Sequence, residues 1–411
     1  MRRVAITGLG LVCSQGQNPA EVFERWLSGE SGVALHDVGE APYQAKALMA
    51  SCTAFDPAAA LGKTRLVTMD RVSQLSAVVA QDAWADAGLA DADASLRDTC
   101  GTYWGTGGGG THTTDRTYRD LFVKQRARIS PLSVVLGMHN AAASHVALGL
   151  GLGGDCLTYS VACASSAVAI GEAMRRIQLG GMDVAVAGGA ESAMPFAALK
   201  AWESLQVMAS PGDDPARACR PFDASRTGLV LGEGAAAFVL EEWDHAMRRG
   251  ARVYAELVGY GSSCDHHHLT APHAEGQVRA LRQALAHAGL QPEDVDHVNA
   301  HGTATGEGDP TEISALKALF GNHAERVMVS ATKSMHGHLL GAAGAIEALA
   351  TALTLHGQAV PPTAGLVDVA AECAGVDHVM DQARRDRPVR VALSNSFAFG
   401  GSNAVLAMRA V

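Results

Sequence analysis

The chain predicts an α/β fold built from two similar halves, on three observations. Short apolar runs rich in β-formers recur along all 411 residues, and stretches of helical period lie between many of them. The 45 glycines, roughly 11% against an ordinary ~7%, sit beside those runs. Near-continuous apolar strands mark sheets covered on both faces. Glycines beside them mark tight strand–helix packing rather than a linker.

The strand-like runs are Val4–Val12, Thr102–Thr106, Cys156–Cys163, Asp183–Gly188 and Ala235–Leu240, then Tyr254–Tyr260, His297–Ala300, Val327–Ser330, Val389–Ser394 and Ala404–Met408. Helical spacing appears over Leu75–Ala87, Ala164–Leu179, Gln277–Ala288 and His338–Leu355. Two rounds of alternation change over near residue 250, where a charged helix over Glu241–Arg252 is expected to join them. This divides the chain into residues 1–250 and 251–411, with no Pro/Ser-rich linker between. The stretch His338–Leu355 is nearly all Ala, Leu, Gly and Ile, so it belongs at the centre of the molecule.

Composition excludes several classes. Apolar residues make up 48% and charged residues 18%, enough for a large core and unlike a disordered chain. A net charge of −10 disfavours nucleic acid and anionic membrane as partners. No apolar run approaches the ~18 residues of a spanning helix, and Met1-Arg-Arg-Val-Ala-Ile-Thr-Gly8 runs straight into a strand without a signal region. These features point to the cytoplasm. The eight cysteines are scattered, no two closer than seven residues, which excludes Cys-x-x-Cys zinc and redox spacings.

Four segments can carry chemistry. Tyr159–Ile177 reads as a strand turning into a helix whose apolar face is Ala167, Ile170, Met174 and Ile177. Cys163 falls at that turn, where unpaired N–H groups and the helix dipole favour a thiolate and can hold an oxyanion. A buried cysteine filling a tight turn is the plainer alternative. Val298–Glu312 ends a strand in His301, followed by a Gly/Thr loop with Thr303 and Thr305 and a helix with Glu312. In Ser330–Gly344 a strand delivers Lys333, and His338 heads the apolar helix. Burying Lys and His is costly unless they are paired or used. Ser394–Asn403 runs a strand through Phe397 and Phe399 into the hinge Gly400-Gly401, whose N–H groups can face a ligand.

From residue 4 to about 408 the chain resembles the elongating β-ketoacyl-acyl carrier protein synthases, condensing enzymes of the thiolase fold. The resemblance rests on Cys163 with its preceding strand, on Asn299-Ala-His301-Gly-Thr303-x-Thr305, on Lys333-Ser-Met-x-Gly-His338 and on Asn395-Ser-Phe-x-Phe399-Gly-Gly. Arg220-Pro-Phe-Asp223, Gly232-Glu-Gly234 and Glu256-Leu-Val-Gly-Tyr-Gly261 extend it. It implies a five-layered αβαβα body of two related halves, the first with the nucleophile and the second with two histidines and a lysine. Cys163 would take an acyl chain from a carrier protein, while His301 and His338 promote decarboxylation of a malonyl unit. The N–H groups of Cys163 and Phe399 would hold the oxyanion, with Phe399 and Gly400 as gate. Lys333, near Glu312, would fix the electrostatics around His338; Thr303 and Thr305 would bind the phosphopantetheine arm. Gly108 and Phe399 would line the acyl pocket, left open by the missing side chain at Gly108. Lys63, Arg65, Lys124, Arg126 and Arg128 would dock the acidic carrier protein. The resemblance implies no bound cofactor, no metal, and a homodimer or a heterodimer with a homologous subunit.

Some positions depart from the family pattern: Gly306-Glu307-Gly308 after Thr305, His336, Ala398 and Pro211. They leave chain length, carrier protein and partner subunit open. Asp265-His266-His267-His268 lacks co-ligands at zinc spacing. Gly8-Leu-Gly10 lacks the third glycine of a dinucleotide fingerprint. Two rival functions remain. A non-catalytic chain-length-factor-type subunit would have lost the nucleophile. A coenzyme A thiolase would need a second catalytic cysteine late in the chain, where Cys373 lies outside every glycine motif.

Overall fold

All ten apolar runs form strands in the computed structural model, which describes every residue except 193. They are β1 (Val4–Val12), β2 (Gly101–Gly105), β3 (Cys156–Tyr159), β4 (Val184–Glu191), β5 (Gly234–Glu242), β6 (Ala255–Cys264), β7 (His297–Asn299), β8 (Met328–Ser330), β10 (Val391–Ala398) and β11 (Ser402–Arg409), with a two-residue edge strand β9 (Asp377–His378) added. The helices that matter are α1 (Arg71–Asp86), α2 (Ala141–Leu150), α3 (Ser165–Gln178), α4 (Ala274–Ala288), α5 (Gly308–Phe320) and α6 (Ala343–Gly357).

Among the described residues the strands run in the order β9-β8-β7-β10-β11-β6-β1-β5-β4-β2-β3. Counted within its own half, each side repeats one spatial order, third-second-fourth-fifth-first, with β9 an extra edge. The pairing repeats as well. β2 is parallel to β3 and β4, and β5 antiparallel to β4 and β1. Likewise β7 is parallel to β8 and β10, and β11 antiparallel to β10 and β6. The halves meet where β1 and β6 pair over Val4, Ala5 and Ile6.

Three apolar cores make five layers. Val72, Leu75 and Val79 of α1 and Val146 of α2 pack on Trp104, Val186 and Val239 of the first half. Leu281 of α4 and Ile313 and Leu316 of α5 pack on Val298, Leu393 and Val405 of the second. Between the sheets, Ile170, Met174 and Ile177 of α3 share one core with Ile346 and Leu349 of α6. The expected thiolase-like αβαβα architecture is therefore present. Gly8 and Gly10 belong to this packing: a Cβ would meet the Ala83 carbonyl oxygen at 2.1 Å and that of Val79 at 1.9 Å.

The structure corrects three sequence expectations. β5 runs on to Glu242, so the charged joining helix shrinks to Trp243–Arg248. The apolar helix starts at Ala343, not at His338, because the His338 N–H donates to the Val230 carbonyl (2.6 Å) and so lies in extended pairing. That pairing involves Leu231–Gly232 of a small sheet with Ala34–Glu40 and Tyr43–Ala50, which lacks a strong apolar pattern and was not anticipated.

Candidate active site

Cys163 sits on a strained turn. The chain leaves β3 at Tyr159, passes Ala162 at φ +48°, and enters α3 at Ser165. A non-glycine residue in the left-handed region persists only where its surroundings hold it. Here the Ser165 hydroxyl donates to the Ala162 carbonyl (2.6 Å) and accepts the Val161 N–H (2.9 Å). The Phe399 N–H points at Cys163 Sγ. The helix end was expected to favour a thiolate. Burial instead pushes the thiol up to about 12, only partly opposed by Lys333 and the Phe399 N–H. Cys163 is therefore held as a neutral thiol.

Two imidazoles converge on it. His338 Nε2 lies 3.0 Å from Cys163 Sγ, while its Nδ1 accepts the Leu340 N–H (3.2 Å). His301, just beyond the end of β7, meets His338 edge to face with ring centroids 5.4 Å apart, and its Nδ1 lies 3.3 Å from Lys333 Nζ. A backbone N–H can only donate, and Lys333 Nζ is a donor held by a carboxylate. Both Nδ1 atoms are thus acceptors, and each neutral ring carries its proton on Nε2. Burial first, then the Lys333 charge, holds both imidazoles well below their ordinary range. The sulfur and two imidazole nitrogens lie within 4.8 Å of one another, a spacing a metal could use.

Lys333 is fully buried and ion-paired with Glu347 of α6, also fully buried. Glu312, expected near Lys333, feels its charge but is not its ion-pair partner. Glu312 instead accepts the N–H groups of His301 (2.9 Å) and Gly302 (2.8 Å) and the Asn395 side-chain amide (2.9 Å), fixing the loop that carries His301. Glu347 was missed, although the signal was present: a lone carboxylate in an otherwise apolar helix needs a buried partner.

A cavity of about 310 Å³ opens from the Cys163, His301 and His338 cluster past Thr303 and Thr305, whose hydroxyls are 3.0 Å apart. Asp309 holds that loop by accepting the N–H groups of Thr303 (3.1 Å), Ala304 (3.0 Å) and Phe222 (2.8 Å). Phe399 lines the cavity and stacks on Trp202, centroids 6.0 Å apart; Trp202 was not singled out from the sequence. The Gly400 N–H donates to the Leu269 carbonyl (2.7 Å), so it does not face the thiol. Gly108 does not line this cavity. Its N–H binds the buried Glu191 carboxylate, and a Cβ there would meet Thr111 Cγ2 at 2.9 Å. The space expected at Gly108 is filled.

Lys63 and Arg65 are exposed on the short helix Lys63–Leu66, and Lys124, Arg126 and Arg128 on a separate exposed segment. Asp120 pairs with Lys124 (3.2 Å) and Arg126 (3.1 Å), which lowers the net charge of that group. In the His cluster, His268 Nδ1 accepts the N–H groups of Thr270 and Ala271 and braces the cavity wall.

Comparison with known proteins agrees with this geometry. Residues 1–246 match the family described as Beta-ketoacyl synthase, N-terminal domain, and residues 254–367 match Beta-ketoacyl synthase, C-terminal domain. The chain is similar to Nodulation protein E of Rhizobium sp. (strain N33), 40% identical with 100% of both chains covered. It is also 37% identical to 3-oxoacyl-[acyl-carrier-protein] synthase 2 of Coxiella burnetii, covering 100% of this chain and 99% of that one. Among solved structures, the ishigamide ketosynthase/chain length factor matches with TM-score 0.92 and 31% identity over 100% of this chain and 99% of that one. The chain belongs to the beta-ketoacyl synthase family.

Proposed function

We propose that the protein is a β-ketoacyl-acyl carrier protein synthase, lengthening a Cys163-bound acyl group by decarboxylative Claisen condensation with a malonyl thioester. One observation carries the reading: two neutral imidazoles aim Nε2–H groups beside a buried thiol that also faces the Phe399 N–H. In the first step Sγ bonds the acyl carbon, the carrier thioester breaks, and the thiol proton leaves with the carrier's sulfur. Malonyl carbon dioxide then departs, and His301 and His338 hold the enolate oxygen with their N–H groups. The enolate carbon attacks the Cys163 thioester, whose oxyanion meets the N–H groups of Cys163 and Phe399; the carbon–sulfur bond then breaks, and the Cys163 thiolate takes up one proton from solvent to restore the thiol. Residues 1–250 thus supply the nucleophile and 251–411 the two histidines and Lys333. Thr303 and Thr305 line the entry for the phosphopantetheine arm. Thiol, imidazoles and amides provide these steps without a bound cofactor or metal.

The carrier-protein partner follows from this chemistry and from the Coxiella relative's name. A second subunit, identical or homologous, suits the edge strand β3, where Leu157 is 44% exposed, and the nearby chain segment with Phe122 76% and Val134 72% exposed. No helix among the described residues is long and apolar enough to cross a membrane, and all eight cysteines are free, which suits a reducing cytoplasm. A chain-length-factor role is disfavoured because the nucleophile and both histidines are assembled. A thiolase role is disfavoured because Cys163 is the one cysteine lining the cavity among the described residues. The test is intact-mass detection of acyl-Cys163 together with carbon dioxide release from malonyl-carrier protein. Absence of both would overturn the assignment.

A further inference from the structure

Glu191, the last residue of β4, is fully buried and has no ion-pair partner among the described residues. Its Oε2 accepts the N–H groups of Gly107 (2.7 Å) and Gly341 (3.0 Å), and its Oε1 those of Gly108 (3.1 Å) and the Thr106 hydroxyl (3.4 Å). Gly107 and Gly108 belong to the first half and Gly341 to the second. The backbones touch here, since a Cβ on Gly341 would lie 2.1 Å from Gly107 N. A buried carboxylate without a cation is costly. A glutamine of equal shape would set its own NH₂ against donors, so four converging donors call for a carboxylate.

The position of Gly341 gives the arrangement its meaning. Leu340, directly before it, has φ +48°, a conformation a branched side chain rarely adopts. The Leu340 N–H is the donor that holds His338 Nδ1 and so keeps the His338 proton on Nε2. We propose that Glu191 is a positioning residue for His338: by gripping the Gly341 amide against the Gly107–Gly108 loop, it holds Leu340 in its strained conformation and thereby fixes the His338 tautomer. This rests on the condensing role proposed above. It also separates the half-reactions. Burial chiefly raises the Cys163 thiol, and the Glu191 carboxylate adds only the smallest upward push, so removing it leaves the nucleophile nearly as it was. Only the step that needs the His338 N–H should suffer.

The experiment compares wild type, Glu191→Gln and the milder Gly107→Ala, whose Cβ would press on Glu191 Oε2 from 2.9 Å. Decarboxylation of malonyl-pantetheine and transfer of decanoyl from decanoyl-pantetheine to Cys163 are measured in parallel, with ¹⁵N-histidine NMR of the His338 ring. Decarboxylation kcat should fall about tenfold in Glu191→Gln and about threefold in Gly107→Ala. KM and acyl transfer should stay within twofold, and the His338 nitrogens should move toward a tautomer mixture. Equal loss of both half-reactions, or an unchanged His338 spectrum despite slower decarboxylation, would overturn the proposal. If Glu191→Gln does not fold, Gly107→Ala decides by the same criteria. Wild-type protein inactive in both assays would instead count against the condensing role itself.

Discussion

Glu347→Leu strands the Lys333 charge. Lysine and glutamate are both fully buried and bonded to each other, and removing one partner of such a pair costs ~3–5 kcal/mol. With an unfolding entropy of ~2.1 cal/mol/K per residue, a 411-residue chain should lose roughly 4–6 °C of melting temperature. Adding Lys333→Met removes the stranded charge, and replacing a buried ion pair by hydrophobic groups is typically neutral or stabilising, so the midpoint should return to about the wild-type value. Activity should not return. His301 Nδ1 then has no donor, and losing a hydrogen bond to a charged group costs ~1.5–3 kcal/mol, or roughly 10- to 150-fold in decarboxylation rate. Circular-dichroism melts and carbon dioxide release from malonyl-carrier protein, run on all three variants, separate the two effects. An unchanged midpoint in Glu347→Leu would show that Lys333 carries no buried charge. Wild-type decarboxylation in the double variant would show that Lys333 does not set the His301 tautomer.

Cys163→Ala should abolish acyl loading while leaving the fold intact, checked by intact mass and circular dichroism. With its thiol pushed up to about 12, alkylation of Cys163 by iodoacetamide should quicken about tenfold per pH unit from 7 to 10; a plateau near 8 would contradict a buried neutral thiol. His301→Ala and His338→Ala should each slow decarboxylation by about 10²–10³, the cost of one oxyanion donor, and acyl transfer much less. Gly108→Ile should cost ~1–3 kcal/mol in chemical denaturation and slow short and long acyl chains alike, because its side chain would press on Thr111 and Glu191. Charge reversal at Lys63 and Arg65 should raise KM for carrier protein most at low salt; an unchanged KM would remove them from the docking surface.

The sequence carried the strands because buried sheets need unbroken apolar runs, and every such run became one. It did not carry Ala34–Ala50, whose strands are partly exposed and lack that pattern, nor β9, two residues long. Cys163, His301, His338 and Lys333 were legible as polar groups placed where burial is expensive. Their partners were harder to assign. Glu312 serves the His301 loop by accepting its N–H groups, whereas α6 brings Glu347 to Lys333. The thiol was read from its helix end alone; desolvation, set by surrounding layers, reversed the direction. Gly108 was read as empty space because a sequence shows the missing side chain but not the Thr111 and Glu191 groups that fill its place.

The contact between Cys163 and His338 spans 175 residues of chain. β1, the first strand made, finds its neighbours only when β5 and β6 appear, more than 220 residues later. At a synthesis rate of about 5–20 residues per second, the apolar face of α3 leaves the ribosome roughly 9–35 s before α6 arrives to cover it. During that interval Ile170, Met174 and Ile177 have no native partner layer on α6. The folding rate of such a chain is set by long-range closure rather than by local helix formation.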